Sequence, residues 1–195
     1  DQPRSRGLGD VYKRQTNGTV NDYIANYKDV AMSNMKNYGI PASIILAQGI
    51  LESGAGKSSL AVTANNHFGI KCHNDWKGES VLKDDDAAQE CFRKYNDPAE
   101  SFKDHATFLT GRNRYASLFE LSKDDYEAWA KGLRLAGYAT DPNYPQKLIS
   151  YIESYELYQY DSQVLGKKFT LNKKKMESTP AVSYTHLRAH ETEAD

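Results

Sequence analysis

The sequence is short of several things, and each shortage removes a class of function. Two cysteines, Cys72 and Cys91, are all that 195 residues contain. With His67, His73 and His105 they form no zinc-ligand spacing, so neither a metal nor another cofactor is expected. No window approaches the roughly 18 consecutive apolar residues of a membrane span, so no membrane insertion is expected. A formal net charge of −1 offers no electrostatic case for nucleic acid or a membrane surface. No charged start followed by an apolar run marks a secretory leader in these residues. What is present is ordinary for one well-cored globular domain: 39% hydrophobic and 26% charged residues. Fourteen tyrosines and two tryptophans stand out. Aromatic faces with polar edges suit sugar rings, and equally suit cores and rims.

One stretch organises the rest. Pro41 fits the first position of a helix. Ile44, Ile45, Ala47, Gln48, Ile50 and Leu51 follow, too apolar all round for a surface helix, and Gly54 and Gly56 end the run. Glu52 sits in the last turn. A carboxylate there faces the negative end of the helix dipole among apolar neighbours, and both effects raise its pKa. A carboxyl kept protonated near neutral pH is what a general acid requires. Local conflicts of this kind concentrate at functional sites.

Around it the spacing predicts a mainly helical (α+β) chain. An amphipathic helix covers 21–38 and a short helix 58–64. Two short strands, 79–83 and 88–95, are joined through the turn-favouring Asp84-Asp85-Asp86. Asp97-Pro98-Ala99-Glu100 is a capped helix start, and the Ser122 to Asp125 stretch repeats the cap logic. Asp141-Pro142 opens the last helix, with Tyr144, Leu148, Ile152 and Tyr155 facing inward. Lys-rich 162–181 reads as a linker toward a wall-binding module. Residues 5–15 and 182–192 back-translate to the two arms of one DNA inverted repeat. On that ground 1–15 and 182–195, with His186 and His190, are set aside as adapter-derived, leaving a domain at 16–161.

Five motifs then carry a resemblance: P-A-S-I-I-L-A-Q-G-I-L-E-S-G-A-G-K-S, N-N-H-F-G-I-K, W-K-G, F-R-K-Y and G-Y-A-T-D-P-N-Y. Together they resemble bacterial endo-β-N-acetylglucosaminidases that cut peptidoglycan, the group containing flagellar rod hydrolases and autolysins. The resemblance implies a lysozyme-like helical domain with a small β-hairpin lobe flanking a groove for glycan strands. It implies hydrolysis of the β-1,4 bond after N-acetylglucosamine, with Glu52 as catalytic acid and the protein exported and monomeric. A second group is expected from the hairpin, Asp84 ahead of Glu79, with Asp85, Asp86 and Glu90 as further candidates. The substrate's own acetamido oxygen is the alternative to any second carboxylate. Tyr138 and Tyr144 match cleft tyrosines. Tyr138 is ranked first as the catalytic orienting group, because Tyr144 also reads as core. Asn65, Asn66, Phe68 and Trp76 are expected to bound the sugar groove. Export favours a disulfide between Cys72 and Cys91, whereas a cytosolic protein would keep them as thiols. The rivals are a lysozyme or lytic transglycosylase, which shares a Glu at the end of an apolar helix, and a silent glycan-binding domain.

Overall fold

A helix that is apolar on every side must be enclosed by other elements, and the chain folds to meet that demand. The computed structural model describes residues 8–85 and 88–168, with side chains from Thr19 onward in the first helix. In chain order the elements are α1 (Leu8–Tyr38), α2 (Ala42–Ser53), α3 (Ser59–Ala64), β1 (Ser80–Lys83), β2 (Glu90–Arg93) and α4 (Pro98–Thr110). A 3-10 helix (Asn113–Glu120) follows, then α5 (Tyr126–Leu135), α6 (Tyr144–Ser154) and α7 (Tyr158–Val164). The protein is thus mostly helical with one two-stranded antiparallel sheet. No helix among the described residues is long and apolar enough to cross a membrane.

The central helix is α2. Ile44, Ile45, Leu46 and Ala47 are wholly inaccessible, enclosed by α1, α6 and α7. Pro41 lies just before the first helical position rather than on it, and its carbonyl accepts the first helical bond, from Ile45 N at 3.1 Å. Close approach of α1 is permitted by Gly49, where a Cβ would lie 2.5 Å from the Tyr23 hydroxyl oxygen. That hydroxyl is fixed by a 2.8 Å hydrogen bond to His67 Nδ1. At the other end of α2, the Asp161 carboxylate in α7 accepts from Ser43 N at 2.8 Å and from Ser43 Oγ at 2.5 Å. A buried acid there satisfies helix N–H groups that have no partner within the helix.

The hairpin pairs Ser80 with Arg93, Val81 with Phe92, Leu82 with Cys91 and Lys83 with Glu90. Extended chain at 70–72 adds to the other edge of β2 through Cys72 N to Cys91 O and Arg93 N to Ile70 O. Phe92 and Val81 rest on Leu60 and Ala64, a small second core that seats the lobe on α3.

Several boundaries differ from the sequence expectation. The first helix begins at Leu8, inside the stretch set aside as 1–15, and α7 runs to Val164, past the expected domain end at 161. The last long helix begins at Tyr144, since Asp141-Pro142 forms the preceding turn, with Asp141 Oδ1 accepting from Asn143 N at 2.9 Å. Asp86, 169–181 and the whole of 182–195 lie outside the described residues.

Candidate active site

The residues after Glu52 explain its position. Gly54 and Ala55 both take left-handed backbone, and their N–H groups return to Ile50 O, so α2 stops within two residues of the acid. Ser53 Oγ donates to Gly49 O and accepts from Gly56 N at 2.7 Å, locking that turn. The E-S-G-A-G-K-S segment is therefore a helix stop that leaves one carboxyl at the edge of a cleft.

By surface area Glu52 is exposed, because it opens onto that cleft, yet protein atoms crowd its carboxyl on the remaining sides. For its protonation the crowding decides, since a groove solvates a charge less well than bulk water. Desolvation raises the Glu52 pKa, and a hydrogen bond from Tyr144 offsets part of the rise. The Tyr144 hydroxyl donates to Glu52 Oε1 at 3.1 Å and itself accepts from Gln48 Nε2 at 3.0 Å. With Gln48 donating, the Tyr144 proton is directed at the carboxyl. Gln48 is wholly buried and lies one helical turn before Glu52 on the same face. Sequence reasoning passed over it as part of an apolar run; a fully enclosed amide four residues before the acid was the available signal.

The cleft is a groove of about 540 Å³ between the helical body and the hairpin lobe. Glu52 and Tyr138 lie on the body side, and Lys83 and Asp85 come from the hairpin. Tyr138 sits beside Tyr144, with ring centroids 5.9 Å apart, and burial with the Glu52 charge holds its phenol far above the ordinary range. Phe68 lines the groove while also stacking on His105 at 4.0 Å.

Other expected site residues lie elsewhere. Asp84 does not line the groove. Its Oδ1 accepts from Gln89 N at 2.8 Å and Gln89 Nε2 at 3.1 Å, bonds that hold the hairpin turn and lower its pKa. Glu79 is exposed and paired with Lys94 at 2.9 Å. Glu90 accepts from Lys71 Nζ at 2.9 Å, and Asp85 lies 3.9 Å from the same amine. Asn65 and Asn66 brace the loop instead of bounding the groove. Asn65 donates to Tyr95 O and Asn96 O, while Asn66 donates to Ile70 O and Arg93 O and accepts from Ile70 N. Trp76 packs under Arg93, 4.8 Å from its Cζ, and donates to Glu79 O, again away from the groove.

Cys72 and Cys91 form a disulfide across the lobe. Among the described residues no group of three or more His, Cys, Asp or Glu side chains is placed to hold a metal ion.

Residues 28–157 match the Glucosaminidase family model, described as mannosyl-glycoprotein endo-beta-N-acetylglucosaminidase. The chain is 37% identical over 139 residues to the exo-glucosaminidase LytG of Bacillus subtilis, covering 65% of this chain and 48% of that protein. It is 31% identical over 167 residues to the peptidoglycan hydrolase FlgJ of Salmonella typhimurium, covering 80% of this chain and 51% of the relative. The chain thus spans about half the length of these relatives. Among solved structures, the catalytic domain of the autolysin Auto from Listeria monocytogenes superposes with a TM-score of 0.63 at 28% identity, covering 82% of this chain and 99% of that domain. The glycoside hydrolase domain of Salmonella typhimurium FlgJ gives 0.60 at 31% identity, covering 75% and 94%.

Proposed function

Because the chain belongs to the glucosaminidase family, we propose that it hydrolyses the β-1,4 bond following N-acetylglucosamine in peptidoglycan glycan strands, with Glu52 as general acid. The observation that carries this reading is the Glu52 carboxyl at the groove, crowded enough to favour its proton and held by Tyr144. Glu52 protonates the departing sugar oxygen as the bond to the anomeric carbon breaks. The hairpin's contribution is assigned to Asp85 instead of Asp84, because Asp85 lines the groove and Asp84 is engaged by Gln89. Either Asp85 or the substrate's acetamido oxygen supports the oxocarbenium-like centre, and Tyr138, on the groove wall, orients it. A single copy supplies every group named, so the working unit is a monomer. Its substrate places it outside the cytoplasm, where the Cys72–Cys91 disulfide persists.

Digestion of purified peptidoglycan with mass spectrometry of the products tests the reading. New reducing N-acetylglucosamine ends are expected, and product length separates attack within strands from attack at their ends. Anhydromuramic ends would instead make the protein a transglycosylase. Glu52→Gln is expected to lower turnover by roughly 100- to 10,000-fold, the usual worth of a positioned acid, with the fold, read by circular dichroism, retained. Turnover at the wild-type rate by that variant sinks the assignment.

A further inference from the structure

On the lobe side two cations are matched, while Lys83, which also lines the groove, makes no ion pair among the described residues. Lys71 has Glu90 and Asp85, and Arg93 has Asp104 and Asp75. On the helical side two arginines are different. Arg112 lies flat on Phe108, its Cζ 3.7 Å from the ring centroid, with Nη1 donating to Phe108 O at 3.4 Å. Arg114 lies over Tyr115, its Cζ 4.7 Å from the centroid. Neither makes an ion pair with a carboxylate among the described residues. Asp75, the acid whose charge reaches this corner, is held by Arg93 Nη2 at 3.0 Å.

Of the two arginines, Arg114 lines the groove that holds Glu52, and Arg112 borders it through Phe108. His73, Phe108 and Tyr115 line the groove too. Ring contacts lead back to the acid: Tyr115 to Tyr138 at 6.2 Å, then Tyr138 to Tyr144 at 5.9 Å. His73 stands 6.0 Å from Phe108, and desolvation followed by the Arg112 charge lowers its pKa. It therefore stays neutral near pH 7, and the positive charge of this corner belongs to the arginines. A guanidinium lying on an aromatic face is already oriented, so less freedom is lost when its fork meets a carboxylate.

N-acetylglucosamine itself carries no charge, whereas the peptide attached to the neighbouring sugar of a wall strand is acidic. We propose that Arg112 and Arg114, on their aromatic platform, form a subsite for a carboxylate of that peptide, so that the groove selects peptide-bearing strands with free carboxylates. This rests on the reading of the groove as a wall-glycan site.

The test uses a peptide-bearing tetrasaccharide of alternating N-acetylglucosamine and N-acetylmuramic acid, prepared with its peptide carboxylates either free or amidated. Binding is measured by calorimetry on the full chain carrying Glu52→Gln, where no turnover intervenes. The free form is expected to bind roughly 10- to 100-fold tighter, the worth of a charge-assisted hydrogen bond. Adding Arg112→Gln and Arg114→Gln is expected to bring the two affinities together, and Arg114→Lys, which keeps the charge but loses the fork, to give an intermediate ratio. If the double variant unfolds, exposed Arg114→Gln alone carries the test. Equal binding of the two forms, or a preference unmoved by these substitutions, overturns the subsite. Tighter binding of a glycerol phosphate polymer at the same arginines overturns the peptide as occupant. Intact discrimination in a wild-type protein that cleaves neither form would overturn the hydrolase reading and leave the subsite standing.

Discussion

Glu52 and Tyr144 lie 92 residues apart in the chain and meet at 3.1 Å. Glu52 was legible because its conflict is local: an acid at the negative end of a helix, among apolar neighbours, declares itself in one turn of sequence. Tyr144 was legible only as an inward-facing residue, because a 3.6-residue stripe says that a side chain points inward but not what waits there. The order expected for the two tyrosines is therefore reversed at the carboxyl, where Tyr144 makes the hydrogen bond and Tyr138 forms the wall. Asp84 failed for a related reason. A turn aspartate readily accepts from nearby backbone N–H groups, and Gln89 had first claim on it. Tyr144→Phe follows as a residue-scale prediction. Its bond lowers the Glu52 pKa, so removing it raises that pKa and moves the alkaline limb of the kcat/KM profile to higher pH. Losing the hydroxyl also strips Gln48 Nε2 of its acceptor, at a cost of about 1–3 kcal/mol to stability. An alkaline limb that stays in place would show that Tyr144 does not bear on the acid's ionisation.

Elements with chemical punctuation were read well. Asp97 accepts from Glu100 N at 3.1 Å to open α4, and Asp125 does the same for α5 through Ala128 N at 3.0 Å. The hairpin emerged from its change of period and its acidic turn. The 3-10 helix Asn113–Glu120 and α7 were missed because each is short and has neither a side-chain cap nor a proline at its start to announce it. Hairpin and helical body meet at the groove, at the small Leu60–Ala64–Phe92 core and through the Arg93–Asp104 pair, and the lobe adds a cross-link of its own. The Cys72–Cys91 bond closes a sequence separation of 19 residues that includes Lys83 and Asp85. For a loop of that length, restricting the unfolded chain contributes about 3 kcal/mol. Reduction, or Cys72→Ser with Cys91→Ser, is expected to lower the urea midpoint correspondingly and to speed amide exchange in 72–91 before it does so in α2. Coincident unfolding curves for the oxidised and reduced protein would show that the bond does not brace the lobe.

Across the whole molecule, three buried ionisable groups push stability in opposite directions. Burial depresses His67 to about 4 and His105 to about 3, from 6.5. Their contribution is complete above the unfolded value and is lost as pH falls toward the folded values. Asp161 is raised by burial from 3.8 to about 7, so its contribution is complete below the unfolded value and is lost as pH climbs through the folded one. Glu52, also raised, acts in the same sense as Asp161. Each fully unbalanced proton changes stability by about 1.4 kcal/mol per pH unit. In mildly acid solution the two histidines outweigh Asp161, and near neutrality they saturate while the acids still act. The melting temperature should therefore peak at about pH 6–7, with a steep acid limb and a shallow decline above it. Two substitutions separate the limbs. Asp161→Asn should flatten the decline above the peak. His105→Phe should shallow the acid limb without loss at neutral pH, because both ring nitrogens of His105 lack hydrogen-bond partners among the described residues and its stack on Phe68 can be kept by another ring. A His105→Phe protein whose melting temperature falls as steeply in acid as the wild type would show that the proton taken up on unfolding belongs to another group.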